Sequence, residues 1–123
     1  LKYGTYNNKK FKNLLQKSKI SVFFSISESQ GMALLKSWSM GVPTLVYYNN
    51  EVIIQNKKIA CETAPYLTSS TGLYFKNFNE FIDKFNYIND NYQNYNPNLW
   101  VRDNMTDEKC AKTVVKLFRG NQT

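Results

Sequence analysis

Glu28, Gly31 and Lys36 fall within SESQGMALLKSWSMGVPTLVY, residues 27–47, where a polar loop with a glycine runs into a helical pattern and then into the pattern of a buried strand. A helix that starts just past the carboxyl end of a parallel strand presents free N–H groups and the positive end of its dipole, and both favour phosphate. Open α/β sheets bind their ligands at that edge. A glycine in the first turns of a helix costs about 1 kcal/mol relative to alanine, so its use at position 31 fits a diphosphate that comes close to the backbone. Glu28 offers a carboxylate to sugar hydroxyls; with no ligand at all, an acid in a first helical turn still favours the dipole. Ser27 and Gln30 stand at Ser-x-x-Gln spacing, and a capping box accounts for them structurally. Gly41 and Pro43 fit a helix stop followed by a strand entrance.

The elements around this stretch read as alternating strands and helices. LKYGTY looks like a strand, NKKFKNLLQKS (8–18) like a surface helix with Phe11, Leu14 and Leu15 on one stripe that covers a sheet, and ISVFFS (20–25) like a parallel strand buried on both faces. A helix over residues 28–40 and the strand TLVYY complete a βαβ unit within about 30 residues, so the sheet is expected to be parallel. Residues 49–70 are less regular, and TGLYF (71–75) reads as a further short strand. Phe78, Phe81, Ile82 and Phe85 recur at i, i+3, i+4 and i+7, with Asn77 and Glu80 placed to cap that helix. Pro97 opens a helical turn carrying Trp100; the last helix, 106–118, is expected to turn Cys110, Val114, Leu117 and Phe118 inward and to end at Gly120.

The formal charge of +7 comes from 16 Lys and Arg against 9 Asp and Glu, and nearly all the cations are lysine. Base readout and bidentate phosphate contacts favour arginine, so nucleic acid is not an expected partner. Lys9, Lys10 and Lys12, and again Lys109, Lys112 and Lys116, form clusters that are either solvated helix faces or a patch toward an anionic membrane or a partner. With no histidine and two distant cysteines, Cys61 and Cys110, the chain lacks CxxC redox spacing, common zinc patterns and a histidine dyad. The thiols are expected to be reduced and largely buried, and Trp38 to pack in the core. No apolar run approaches the roughly 20 residues of a membrane span, and the placement expected is cytoplasmic, with contact at a membrane surface as a further expectation.

The stretch 25–43 resembles the nucleotide-sugar-binding segment of GT-B-fold glycosyltransferases, the large family that includes glycogen, sucrose and lipopolysaccharide glycosyltransferases. That segment reads approximately Ser-x-x-Glu-x-Phe-Gly-hydrophobic-x-x-x-Glu-Ala-Met-Ala-x-Gly-x-Pro-Val, and this chain matches it at Glu28, Gly31, Met32, Gly41 and Pro43, with SISE before and TLVY after. LKYGTY, FKNLLQKSKISVFFS and TGLYF are similar to the family's flanking elements, so the likeness covers most of residues 1–90. It implies a single α/β domain over 1–123: a three-layer α/β/α Rossmann-like unit with a short parallel sheet, the latter part of a GT-B C-terminal domain. The resemblance further implies sugar transfer from a nucleoside diphosphate donor with retention of configuration, no metal or other cofactor, Glu28 as the catalytic-site acid that orients the donor sugar, and donor contacts from Ser27, Gln30, Gly31, Met32, Ala33 and Lys36.

Three features depart from the family. It places a second glutamate eight positions after the first, to hold the ribose hydroxyls; here that position is Lys36, which cannot accept such bonds. On a continuous helix, positions 28 and 36 would be about 12 Å apart along the axis. The family's aromatic position is Gln30, and its Ala-Met-Ala triplet is Ser37, Trp38 and Ser39. The N-terminal acceptor domain, the acceptor and the upstream basic residues that neutralise the diphosphate would lie outside these 123 residues, so this piece alone is not expected to be active, and its truncated sheet is expected to self-associate. A diverged, non-catalytic binding or assembly module of the same fold is the alternative from another class; a basic membrane or nucleic-acid module is the third.

Overall fold

The computed structural model describes residues 1–2 and 4–120. A parallel sheet of three short strands lies at its centre in the order β1 (Ser21–Phe23), β2 (Thr44–Tyr47), β5 (Gly72–Phe75). An antiparallel hairpin, β3 (Glu51–Ile54) and β4 (Lys57–Ala60), is inserted between β2 and β5. The helices are α1 (Asn8–Leu15), α2 (Met32–Ser39), α3 (Phe78–Asn91), α4 (Pro97–Asn104) and α5 (Asp107–Arg119), with a 3-10 turn over Tyr92–Asn94.

The central strand explains the layering. Thr44, Leu45 and Val46 of β2 are fully buried, and successive side chains of a strand point to opposite faces. Leu45 packs with Phe75 and Ile88 on the α3 side, while Val46 packs with Leu34, Trp38 and Ala64 on the α2 side. Helical layers therefore cover both faces of the parallel sheet, the arrangement expected from the sequence. Burial on both faces belongs to β2, however, and not to ISVFFS: β1 is an edge strand, Val22 is partly exposed, and Phe24 just beyond it is 72% exposed.

One close approach sets how β2 and β5 pair. Thr44 stands opposite Gly72, and a Cβ on Gly72 would lie 2.0 Å from the Thr44 carbonyl oxygen and 2.7 Å from its hydroxyl. That hydroxyl accepts a hydrogen bond from the Trp38 indole N–H at 3.1 Å, and Trp38 in turn meets Trp100 of α4 edge-on at 5.5 Å between ring centres. Trp38 thus lies in the core as expected, with its polar edge satisfied.

The capping of α3 matches the sequence reading: Asn77 Oδ1 accepts from the Glu80 N–H at 2.9 Å, and Glu80 Oε2 accepts from the Lys76 N–H at 3.1 Å. Five other expectations are corrected. LKYGTY is not a strand: Gly4, Thr5 and Tyr6 form a turn, with Tyr3 outside the described residues. On α1 Leu15 is buried, Phe11 half-buried and Leu14 exposed, so its apolar stripe is only partly covered. The segment read as irregular contains the β3–β4 hairpin, whose turn residues Gln55 and Asn56 both have positive φ (49° and 60°), the requirement of a two-residue type I′ turn. The apolar side of α5 does not face inward, because every residue of that helix is exposed. Cys110 is exposed with it, and Cys61 is half-buried, so neither thiol is a core residue.

Replacing Gly72 by alanine forces either β2 and β5 apart or the Thr44–Trp38 bond open. Overpacking against backbone in this way is expected to destabilise the chain on the order of 3 kcal/mol, read as a lowered urea midpoint with loss of near-UV tryptophan dichroism. Gly120→Ala at the exposed end of α5 serves as the control that leaves both signals in place.

Candidate functional site

The loop between β1 and α2, residues 24–31, emerges at the carboxyl end of the parallel sheet and is anchored from two directions. Asn49, just after β2, donates from Nδ2 to the Ile26 carbonyl at 2.8 Å, and the Glu28 N–H donates to the Glu62 carbonyl at 2.6 Å. The hairpin makes this second contact: by reversing the chain it returns residues 61–64 to the β1–α2 loop. Thr63 Oγ1 ties the returning segment to the Tyr47 carbonyl at 2.8 Å. The Tyr74 hydroxyl is directed at Glu62 Oε1 (2.6 Å) and at the Ala64 carbonyl (2.8 Å). Burial first, and then the Glu62 carboxylate beside it, hold the Tyr74 phenol well above the ordinary tyrosine range.

Gly31 is the N-cap of α2, buried, with φ +66° in the left-handed region. A Cβ there would lie 2.9 Å from Leu34 Cδ1. The glycine therefore has a backbone reason to be present, independent of a ligand. No side chain caps α2, so the Ser27–Gln30 capping box is not formed; both residues are exposed in the loop. Glu28 lies four residues before the first helical residue, so the helix-axis spacing between positions 28 and 36 does not apply, nor does the first-turn dipole reading of Glu28.

The first turn of α2 is open. Its earliest backbone bond with an i−4 partner runs from Leu35 N–H to Gly31 O at 3.0 Å; the N–H groups of Met32, Ala33 and Leu34 have no protein acceptor among the described residues. Beside this turn lies a cleft of about 510 Å³ whose lining includes Tyr6, Phe11, Ser25, Glu28 and Ala33. An adjoining hollow of about 340 Å³ is shared by Gly4, Tyr6, Asn8, Met32, Ala33 and Lys36. Glu28 and Ala33 thus line the cleft, and Met32, Ala33 and Lys36 the adjoining hollow, while Ser27, Gln30 and Gly31 line neither. Lys36 donates from Nζ to Asn8 Oδ1 at 2.7 Å, which uses one of its three protons and holds the ammonium at the rim.

Two features of this edge were not singled out in the sequence. The Ser25 hydroxyl is buried at the cleft wall with no hydrogen-bond partner among the described residues, a state that costs about 1–3 kcal/mol. Second, Phe24, Tyr47 and Phe75 stand at or just past the ends of β1, β2 and β5 and meet at 5.4–6.3 Å between ring centres. With Phe78, Phe81 and Asn77 they enclose a hollow of about 300 Å³. The signal for it was present: each strand pattern ends on an aromatic pair, FF, YY or YF. Among the described residues no group of three or more His, Cys, Asp or Glu side chains is gathered to hold a metal.

The raised phenol makes a pH prediction. The folded chain holds the Tyr74 proton where the unfolded chain, with a pKa of about 10, releases it, so this contribution is complete below pH about 10 and is lost as pH rises through the folded value. Tyr74→Phe is expected to cost about 1 kcal/mol near neutral pH and to flatten the alkaline fall in the urea midpoint, leaving the slope from Tyr95, whose phenol is also raised, chiefly by burial.

Comparison of the chain with protein-family models, with curated proteins and with solved structures returned no match.

Proposed function

We propose that this chain is the nucleotide-sugar-binding portion of a glycosyltransferase of the GT-B kind, which takes a nucleoside diphosphate sugar as donor and transfers the sugar to an acceptor held by a domain outside these 123 residues. The observation that carries the reading is the open first turn of α2, where the N–H groups of Met32, Ala33 and Leu34 have no acceptor among the described residues, beside a cleft lined in part by Glu28 and Ala33. Parallel strands on either side of a crossover helix, with the cleft at their carboxyl ends, support it.

In this reading the donor diphosphate lies against the N–H groups at the start of α2. These groups are already fixed in direction, so they stabilise charge that develops on the leaving diphosphate without reorganising. Glu28 accepts from hydroxyls of the donor sugar. The nucleotide is not anchored through an acid at position 36. Lys36 stands at the same rim and completes charge neutralisation with basic residues of the remainder of the enzyme.

The Lys36–Asn8 hydrogen bond favours a second reading. A lysine in that position, already engaged by α1, fits a module that has kept the fold and given up donor binding in exchange for a binding or assembly role.

Titration of the protein with UDP-, GDP- and ADP-sugars, followed through the backbone amides of residues 31–36, separates the two. A donor-binding chain is expected to show saturable shifts at Met32, Ala33 and Leu34 with one nucleotide, and Glu28→Ala to weaken that binding about tenfold with the fold unchanged. A folded chain that shows no amide shifts with any of the three donors overturns the donor-binding proposal in favour of the second reading.

A further inference from the structure

The last helix presents an apolar surface that none of the described residues covers. On α5, Val114, Val115, Leu117 and Phe118 are 51%, 45%, 67% and 79% exposed, and the helix packs chiefly against α4. At 100° per residue, Cys110, Ala111, Val114, Val115, Leu117 and Phe118 fall within an arc of about 160° that holds no charged side chain from Cys110 onward; Asp107, the first residue of the helix, projects onto the same arc at its N-terminal end. The opposite arc carries Lys109, Lys112, Lys116 and Arg119, and the two acids of the helix, Asp107 and Glu108, are confined to its first turn. Lys112 pairs with Glu108 in water, and an exposed pair of this kind contributes little to stability.

We propose that α5 is a membrane-surface helix that lies in the plane of an anionic lipid bilayer, with Phe118, Leu117, Val114 and Val115 among the acyl chains and Lys112 and Arg119 at the headgroups. Three observations choose this occupant. The apolar arc is wider than the two-row seam used when one helix pairs with another, and it suits a flat apolar phase. Past the first turn every charge on the helix is positive, so pairing with a second copy would bring the cationic margins of two chains of formal charge +7 together. Finally, Arg119 and Lys112 lie about 40° and 60° beyond the Val115 edge of the apolar arc, where their long stems can cover its margin while the charged ends reach phosphate; Lys116 is on the far side of the helix. The helix is about 20 Å long, and none of the helices among the described residues is long and apolar enough to cross a membrane, so this contact is one of surface attachment.

The proposal is tested by flotation of the protein with phosphatidylcholine vesicles, with and without phosphatidylserine, at low and high salt. Binding is expected to the phosphatidylserine vesicles, to fall with salt, and to drop roughly fivefold for each of Lys112→Gln and Arg119→Gln. Phe118→Asp, at a site exposed to water in the folded chain, is expected to abolish binding while leaving the near-UV signal of Trp38 and Trp100 intact. No binding of the folded protein to phosphatidylserine vesicles overturns the proposal, as does equal binding to both compositions. Sedimentation of the protein alone provides the remaining arm: a stable dimer that Phe118→Asp dissolves would assign the face to a second copy and overturn the membrane assignment.

Discussion

The contact between Thr44 and Gly72 is the constraint on which the rest of the structure depends. A three-stranded sheet has only one interior strand, so β2 must supply the core of both faces, and Leu45 and Val46 do so from adjacent positions. That works only if β5 lies flush against β2, and the absence of a side chain at position 72 permits it. The same threonine receives the indole N–H of Trp38, so the spacing of the strands and the seating of α2 are fixed by one side chain. Trp38 then carries the constraint outward to Trp100 and α4. A β-branched residue with a hydroxyl meets both demands at position 44: the branch suits a buried strand, and the oxygen gives the buried indole its acceptor.

This arrangement determines where chemistry can occur. With β1 and β5 as edges, the open N–H groups of α2 and the three aromatic strand ends lie at the carboxyl edge of one small sheet. The loop that carries Glu28 is too polar to be held by packing. It is instead held by the backbone bond from Glu28 N–H to the Glu62 carbonyl, in a segment the hairpin folds back against it, and by the Asn49 side-chain amide on the Ile26 carbonyl. The hairpin therefore has a positioning role, even though its strands contribute no buried residue.

The parallel βαβ unit, the cap of α3 and the burial of Trp38 were legible because each rests on local pattern: apolar runs bounded by punctuation, Asn77 three residues before Glu80, an indole on the inner side of a short helix. The hairpin was missed because Gln-Asn is a weaker turn signal than Asn-Gly and its strands are exposed, which removes the alternation by which a half-buried strand is recognised. The inward face assigned to α5 failed for a different reason. Periodicity identifies an amphipathic helix, and it says nothing about whether the protein supplies the surface that such a helix needs. In the same way, ISVFFS has the composition of an interior strand but is an edge, since composition does not carry strand order.

The motif residues divide once their physical causes are separated. Gly31 is required by a positive φ and by Leu34, and Gly41, also at positive φ (78°), ends α2. Trp38 is required by Thr44 and Trp100. These residues would be selected in any protein that turns from such a loop into such a helix, so their agreement with a ligand-binding pattern adds nothing beyond the fold. Glu28 and the Ser25 hydroxyl are different. The fold uses the backbone of Glu28 and leaves its carboxylate without a hydrogen-bond partner among the described residues, and it buries the Ser25 oxygen with nothing to bond. Stability alone would place alanine at position 25, because a buried unpaired hydroxyl is a net cost. A ligand at this edge would engage the groups left without a partner among the described residues, the Glu28 carboxylate and the three N–H groups of α2, rather than Gly31, which the fold already requires.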